Sequence, residues 1–350
     1  MSDVLNVGII GLRFGVQMHL PAFRSDERCR VVGVAGRDRE SAERVARDLG
    51  VPKSFTDWQD LVSDREVDAI GIAVPPLVQP VVIAEAARHG KHVFCEKPLA
   101  ASLPEARRAV ECAQAAQIAH GVDFIFPELA AWKKARHLLM DGAIGRTVHF
   151  SYSWRVETYA SRTNALTWKS RPEAGGGVLG NILSHVLYNV EWLFGPINAI
   201  EGFVCSRDSR HGRAMDGVVE IESGIRGAIS VCTDAFLGSG HVVEIFGENG
   251  TVVLRNAGVD YVAGFDVSVG TRASGTLSVV PTGPEVTSAG DGRVVPVSRL
   301  VRRFIDAILG GEPMTPNLSH GVRVQELLAL IAESADSVRQ SADGRVSVGS

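Results

Sequence analysis

Val4-Leu5-Asn6-Val7-Gly8-Ile9-Ile10-Gly11-Leu12-Arg13-Phe14-Gly15 is the stretch whose reading decides the fold. The apolar run Val4 to Ile10 is the kind that forms a buried strand, and Gly11 and Gly15 follow it where a turn opens a helix. A dinucleotide-binding βαβ unit needs glycine there for the tight turn and backbone N–H groups aimed at a pyrophosphate. The usual Gly-x-Gly-x-x-Gly pattern is incomplete, with Arg13 at the second glycine and Val16 at the third. The motif alone could be a plain structural turn; the strand before it and the helix after it favour the nucleotide-binding reading.

Outward from this stretch, short apolar runs at Val31–Ala35, Ala69–Val74, Lys91–Cys95 and Ala119–Phe124 alternate with helical patterns. That alternation predicts a parallel, doubly wound sheet. Ala42, Val45, Ala46 and Leu49 recur at helical spacing between Asp38 and a stop at Gly50, and Ser102-Leu103-Pro104-Glu105 fits a capping box opening a helix toward Gln117. Later the texture changes: helix-like Glu128–Met140 and Val178–Phe194 precede short, glycine-punctuated strands between Asn198 and Pro281, then helices near Arg299–Leu309 and His320–Arg339. The expected fold class is α/β, with an N-terminal Rossmann dinucleotide-binding domain over residues 1–122. Residues 123–350 are expected to form a C-terminal α+β domain on an open, mainly antiparallel sheet, the last helices packing back on the body. The Gly- and Ser-rich segment Gly270–Gly292 reads as a mobile loop region.

A chain of 350 residues with 45% hydrophobic and 22% charged residues is an ordinary globular composition, long enough for two domains. Its net charge of -4 offers no general attraction to nucleic acid or to an anionic membrane. No apolar run reaches the roughly 18 residues that span a bilayer, and no signal peptide is recognised, so a cytoplasmic location is expected. Cys29, Cys95, Cys112, Cys205 and Cys232 never fall in Cys-x-x-Cys spacing, so neither a disulfide framework nor a metal site is expected and the thiols read as reduced and mostly buried.

Two places carry candidate chemistry. Gly90-Lys91-His92-Val93-Phe94-Cys95-Glu96-Lys97-Pro98-Leu99 reads as a buried strand that presents Glu96 and Lys97 just before a proline. Lysine ordinarily titrates near about 10.4, and burial or a neighbouring positive charge lowers that value enough for proton transfer. The second is the end of the second strand, Val34-Ala35-Gly36-Arg37-Asp38, where Gly36 stands at the position at which an NAD-binding protein places a carboxylate for the adenosine ribose. Glycine there, Arg37 beside it and Arg13 as a second wall suit a 2′-phosphate, so NADP is the expected cofactor. NAD stays possible if both arginines are solvated or if Asp38 takes the carboxylate role.

Glu96-Lys97-Pro98, the glycine turn and Gly175-Gly176-Gly177-Val178-Leu179-Gly180-Asn181-Ile182-Leu183-Ser184-His185 together resemble the Gfo/Idh/MocA oxidoreductase family. The resemblance also takes in His19-Leu20-Pro21-Ala22-Phe23, Val74-Pro75-Pro76, Asp141-Gly142-Ala143-Ile144-Gly145 and Gly344-Arg345-Val346. It implies that Lys97 lies near the nicotinamide and the reacting oxygen and that His185 contacts the same oxygen. Gly11, Arg13, Phe14, Gly15, Gly36, Arg37, Val74, Pro75, Gln79, Glu96, Lys97 and Trp168 are its implied cofactor contacts. Asn181 replaces the aspartate that many relatives place four residues before the histidine, and an amide cannot take up a proton, so Lys97 is left with the proton transfer. Tyr188 stands where many relatives carry aspartate, and Gln79 where many carry histidine. The arginine common in relatives after Asp123-Phe124 is missing.

Helical spacing puts Asn181, His185, Tyr188 and Trp192 on one face and Leu179, Ile182, Val186 and Val190 on another, and such a polar stripe needs hydrogen-bond partners that a substrate cleft would supply. The resulting expectation is an NAD(P)-dependent oxidoreductase acting on a secondary alcohol or ketone of a sugar or similar polyhydroxylated ring. Its partner is a small-molecule substrate, with self-association as a homodimer or homotetramer through the C-terminal sheet implied by the resemblance. The alternatives are a non-catalytic dinucleotide-binding regulator, or a reductase of an imine or non-sugar ketone.

Overall fold

The structure is a computed structural model describing residues 4–163, 165–205, 213–258, 260, 262–283 and 291–341. It divides into two compact units, the described residues of Met1–Glu128 with Val286–Gln325, and those of Leu129–Glu285 with Glu326–Ser350.

The first unit is built on six parallel strands, β1 (Leu5–Ile10), β2 (Cys29–Ala35), β3 (Lys53–Phe55), β4 (Ala69–Ile72), β5 (His92–Cys95) and β6 (His120–Val122), in the order β3-β2-β1-β4-β5-β6. The strand order reverses between β1 and β4, and ligands of open α/β sheets bind beyond the carboxyl ends of the strands at such a switch point. Helices α1 (Leu20–Arg24), α2 (Arg39–Asp48), α3 (Trp58–Ser63), α4 (Gln79–Arg88) and α5 (Leu103–Ala115) make the crossovers. The strands are short apolar runs buried on both faces: Val7, Ile9, Val34, Ile70, Ile72, Val93 and Phe94 are all enclosed. Residues 53–55 were not expected to form a strand, being too few to show a period. At α5 the Ser102 hydroxyl donates to Glu105 Oε2 at 2.8 Å and accepts nothing from the first turn of the helix, so a side-chain pair stands where the capping box was expected.

The second unit carries β7 (Thr147–Arg155), β8 (Ile197–Cys205), β9 (Ala214–Ile221), β10 (Arg226–Cys232), β11 (Gly240–Gly247), β12 (Gly250–Asn256), β13 (Asp266–Thr271) and β14 (Ser278–Val280). Their order is β14-β13-β12-β11-β7-β10-β9-β8, antiparallel throughout except for the parallel pair β7 and β10. Alternation is visible in β7, where Phe150, Tyr152 and Trp154 are buried. Helices α6 (Ala130–Met140), α7 (Tyr159–Thr163) and α8 (Ser184–Phe194) belong to this unit, and Phe194 stacks on Phe150 with ring centroids 4.3 Å apart. The expected loop at Gly270–Gly292 is corrected in part: Gly270 to Val280 lies in the β13–β14 hairpin, its turn tied by Thr271 N–H to Ser274 Oγ at 2.9 Å. Residues 284–290 of that segment, like Gly344-Arg345-Val346, lie outside the described residues.

Helix α9 (Val294–Ile308) starts five residues before the expected Arg299, because Pro296 sits in its first turn, where a missing N–H costs nothing. It completes the core of the first unit: Phe304 lies 6.2 Å from Phe23 and 5.8 Å from Phe94, ring centroid to centroid. Helix α10 (Leu318–Ser341) follows, and its Gln325 amide donates to Ala100 O at 3.0 Å. All five cysteines are free; only Cys95 and Cys205 are buried, so the expectation of mostly buried thiols is too strong. Among the described residues no helix is long and apolar enough to cross a membrane.

Candidate active site

Gly11 leaves β1 with φ at +112°, its N–H donating to Ala35 O at 3.1 Å, and a Cβ there would overlap the Ala73 carbonyl oxygen. Only glycine satisfies both conditions, and the result is a side-chain-free turn packed closely on Ala73 at the switch point between β1 and β4. A π-helical turn, Gly15–His19, runs from it into α1, with Gly15 buried against Ile9 and Ala73. Arg13 is exposed and Phe14 half-buried. The Arg293 guanidinium lies 5.2 Å from the Phe14 ring centre and is held by Asp291, its Nε donating to Oδ1 at 2.8 Å. Asp291 is held below the usual carboxylate range by that guanidinium.

At the end of β2 the Leu12 side chain lies directly over Gly36, where a Cβ would overlap its Cδ1 and Cγ. Arg37 is exposed. The Asp38 carboxylate caps α2, its Oδ2 accepting from Ser41 N–H at 2.8 Å, which lowers its titration. The donor set at this edge therefore suits a dinucleotide: a side-chain-free turn at Gly11, exposed cations at Arg13 and Arg37, and the nearest carboxylate already engaged.

The Glu96-Lys97-Pro98 segment emerges from β5 at the same carboxyl edge of the sheet. Glu96 N–H donates to Ile72 O at 2.9 Å, extending the ladder one residue past the strand. Fully buried Gln79, at the start of α4, then pins the segment: its amide Nε2 donates to the carbonyls of Glu96, Pro98 and Leu99 at 2.5, 3.1 and 3.2 Å. Gln79 is itself placed by the loop of Val74 and Pro75, since Pro75 O accepts from Gln79 N–H at 3.2 Å. Gln79 therefore shapes the loop from beneath, and its reading as a cofactor contact has no support in these bonds. The Lys97–Pro98 peptide is cis, and Lys97 is half-buried with its backbone N–H 3.3 Å from Glu96 Oε2.

Beneath this segment is a cluster that motif reading did not assign. His19, with no exposure, places Nε2 3.5 Å from Glu96 Oε1 and 3.7 Å from Asp123 Oδ2, and Asp123 is itself buried. At these lengths the contacts are charge pairs rather than hydrogen bonds. Burial opposes the imidazolium, but the two carboxylates prevail and push His19 up to about 9. Burial and the like charge of Glu96 push Asp123 up to about 7, while Glu96, for all its burial, is held low chiefly by His19. The three side chains offer donor atoms within 4.8 Å of one another, and with His19 protonated they form an ion triad.

In the second unit, Trp168 lies half-buried in a short 3₁₀ turn, Trp168–Ser170. A Cβ at Gly176 would overlap the Trp168 carbonyl oxygen, so the glycine run lets this turn close onto the start of the next helix. That helix begins as a π turn, Leu179–Leu183, carrying half-buried Asn181, and continues as α8 with His185 and Tyr188 both buried. Val186 and Val190 are buried too, so the two faces are not divided into exposed and enclosed. Beside the polar stripe, Asn189 is partnered inside the unit: its Nδ2 donates to Tyr152 Oη at 3.1 Å, and Tyr152 Oη lies 2.6 Å from His241 Nε2. Burial pushes His241 down to about 3, so its ring is neutral, and Nε2 shares one hydrogen bond with the tyrosine hydroxyl. His241 stacks on Trp154 at 4.3 Å, and Trp154 in turn lies 6.1 Å from His185, ring centroid to centroid.

Gly11, Arg13, Phe14, Gly15, Gly36, Arg37, Val74, Pro75, Gln79, Glu96 and Lys97 thus belong to one unit, and Trp168, Asn181, His185 and Tyr188 to the other. Sequence reasoning missed His19, Asp123, Tyr152, Asn189 and His241 as site-supporting residues. Their partners come from distant strands, although His19, Asp123 and Asn189 lie in stretches already singled out on other grounds.

A family model described as an oxidoreductase family with an NAD-binding Rossmann fold matches residues 5–124, and a GFO/IDH/MocA C-terminal domain model matches residues 132–253. The chain is 30% identical to a 1,5-anhydro-D-fructose reductase of Ensifer adhaerens, over 65% of this chain and 68% of that protein. It is 25% identical to a levoglucosan dehydrogenase of Pseudarthrobacter phenanthrenivorans, over 95% of this chain and 96% of the other. A solved structure of a levoglucosan dehydrogenase in complex with NADH superposes with a TM-score of 0.85 at 24% identity, covering 95% of this chain and 97% of that one.

Proposed function

We propose, for a chain that belongs to the Gfo/Idh/MocA family of NAD(P)-dependent oxidoreductases, that it prefers NADP(H) and acts on a secondary alcohol or ketone of a sugar or similar polyhydroxylated ring. The observation that carries the reading is Lys97 itself, held at the carboxyl edge of the sheet by the three bonds from Gln79, on the same edge as the Gly11 turn. Names of relatives support the substrate class, since two are a levoglucosan dehydrogenase and a 1,5-anhydro-D-fructose reductase. Arg13 and Arg37, both exposed beside a carboxylate-free Gly36, support the preference for a 2′-phosphate.

The bound dinucleotide supplies the hydride in the reducing direction and accepts it in the oxidising one. Lys97 donates a proton to the carbonyl oxygen as the alcohol forms, and takes it back in oxidation. In the second unit, His185, Asn181 and Tyr188 offer hydrogen-bonding groups suited to substrate hydroxyls; Asn181, an amide, takes no part in proton transfer. Val74 and Pro75 bound the cofactor side of the first unit.

The test is enzyme-dependent oxidation of NADPH, and in parallel NADH, over a panel of keto sugars and simple ketones. Turnover of a keto sugar with NADPH ahead of NADH is the expected result. Turnover confined to simple ketones or imines would reject the sugar assignment, and a preference for NADH would reject the cofactor assignment.

A further inference from the structure

We propose that His19 is a positioning residue for proton transfer: a buried imidazolium set between Glu96 and Asp123 that fixes the Glu96 carboxylate beneath the backbone of Lys97. The proposal rests on the reading of Lys97 as the proton-transfer group.

Glu96 is the link. Its Oε1 faces His19 Nε2 at 3.5 Å while its Oε2 lies 3.3 Å from the Lys97 backbone N–H, so one carboxylate spans the cation below and the segment above. Asp123 approaches the same ring nitrogen at 3.7 Å from the end of β6, and its N–H donates to Cys95 O at 2.9 Å, which ties β6 to the residue before Glu96. His19 cannot swing away. Its ring lies between Phe14 and Phe94, with centroids at 6.2 and 5.1 Å, and a Cβ on Gly71 would come within 3.3 Å of its Nδ1. Neither ring nitrogen makes a hydrogen bond, so the charge pairs are what the ring offers its surroundings. The remaining titratable neighbours are Lys97, a second cation acting on Glu96, and Cys95, whose thiol burial keeps protonated.

The charge count explains why the imidazolium matters. Two carboxylates enclosed together without a cation cannot both stay ionised. With His19 protonated, Glu96 keeps its charge and its orientation. When His19 loses its proton, Lys97 is the remaining cation acting on Glu96 among the described residues, and the carboxylate is drawn toward it, disturbing the alignment of the ammonium group. The consequence is an alkaline limit to turnover set by a histidine rather than by the lysine.

The experiment pairs His19 ring resonances followed by NMR in isotope-labelled protein, assigned by difference with His19→Gln, with pH profiles of kcat in the wild type and in Asp123→Asn. In the wild type, His19 stays protonated through neutrality and titrates near pH 9, with kcat falling over the same range. Asp123→Asn removes one anion, so both the ring titration and the alkaline limb move to lower pH by on the order of one unit, with the NADPH dissociation constant unchanged. A His19 ring already neutral at pH 7, or an alkaline limb that stays put while the ring titration moves, would overturn the proposal. Should His19→Gln fail to fold, the shift between wild type and Asp123→Asn identifies the resonance and the comparison stands. Failure of the underlying reading has a different signature: Lys97→Met would keep wild-type turnover while His19 still titrated near pH 9, which removes the catalytic half of the proposal.

Discussion

Replacing Gly36 with Asp tests the cofactor assignment at the atom where it is decided. A Cβ at Gly36 would overlap Leu12 Cδ1 and Cγ, so the carboxylate enters only if the end of the Leu12 side chain turns aside. Such an off-rotamer shift costs about 1 kcal/mol. For NADH, a new bond from the carboxylate to the ribose contributes roughly 1 kcal/mol at an exposed edge, and the two terms offset one another. For NADPH, the carboxylate stands against the 2′-phosphate that Arg13 and Arg37 attract. Repulsion between unit charges about 4 Å apart is ~1–4 kcal/mol, and solvent at exposed Arg13 and Arg37 keeps it near the lower end. The Leu12 shift and the repulsion together weaken NADPH by about 2 kcal/mol, roughly thirtyfold, while Gly36→Asp leaves NADH within a factor of about three. Adding Leu12→Ala removes the obstruction, so the double variant binds NADH about fivefold more tightly than Gly36→Asp alone. Calorimetric or fluorescence titration with both dinucleotides measures this directly. Wild-type protein binding NADH more tightly than NADPH, or Gly36→Asp leaving NADPH untouched, would refute the reasoning.

Other perturbations have equally specific outcomes. Gly11→Ala forces a side chain into a backbone carbonyl at positive φ, and should cost about 2–5 kcal/mol, read as a lowered Tm together with lost dinucleotide binding. Gln79→Leu leaves the carbonyls of Glu96, Pro98 and Leu99 without their donor; stability should fall by about 1–3 kcal/mol and kcat by more than the Tm shift alone explains, measured by denaturation and steady-state kinetics. Tyr152→Phe strips the hydroxyl from both Asn189 and His241 and should cost about 1–3 kcal/mol in urea denaturation. In the ion triad, His19 is raised from 6.5 to about 9 and Asp123 from 3.8 to about 7, so the native state holds more protons than the unfolded chain between those values. The His19 contribution is fully present below about pH 6.5 and lost as pH rises toward 9, while the cost of ionising Asp123 accrues between about pH 4 and 7. Denaturation at pH 5.5 and pH 9 should therefore show the wild type less stable at the higher pH, with Asp123→Asn flatter over the acidic part of that range.

Much of the first unit was legible because its strands are buried on both faces and read as apolar runs, and because Gly11 stands where backbone geometry admits no other residue. Lys53–Phe55 escaped because three residues carry no period. In the second unit the antiparallel texture was readable but the strand order was not, since nothing local specifies that β7 pairs in parallel with β10 across more than 70 residues of chain. Gly270–Val280 looked like a loop because composition, not pairing, was all that could be read there. Of the candidate site, Lys97 and Glu96 were visible as the end of a strand followed by proline. His19 and Asp123 become meaningful only when β5 and β6 align their ends, and Asn189 only when β7 brings Tyr152 to it. Gln79, noted as a departure from the family pattern, gains its explanation from the carbonyls it holds.

The central claim is that Lys97 transfers the proton, and single-turnover reduction of a keto sugar by the Lys97→Met variant, with bound NADPH measured in the same sample, tests it most directly. The account predicts NADPH affinity within a few-fold of wild type and a chemical step slowed by about two to four orders of magnitude. A chemical step at the wild-type rate with NADPH fully bound would contradict it.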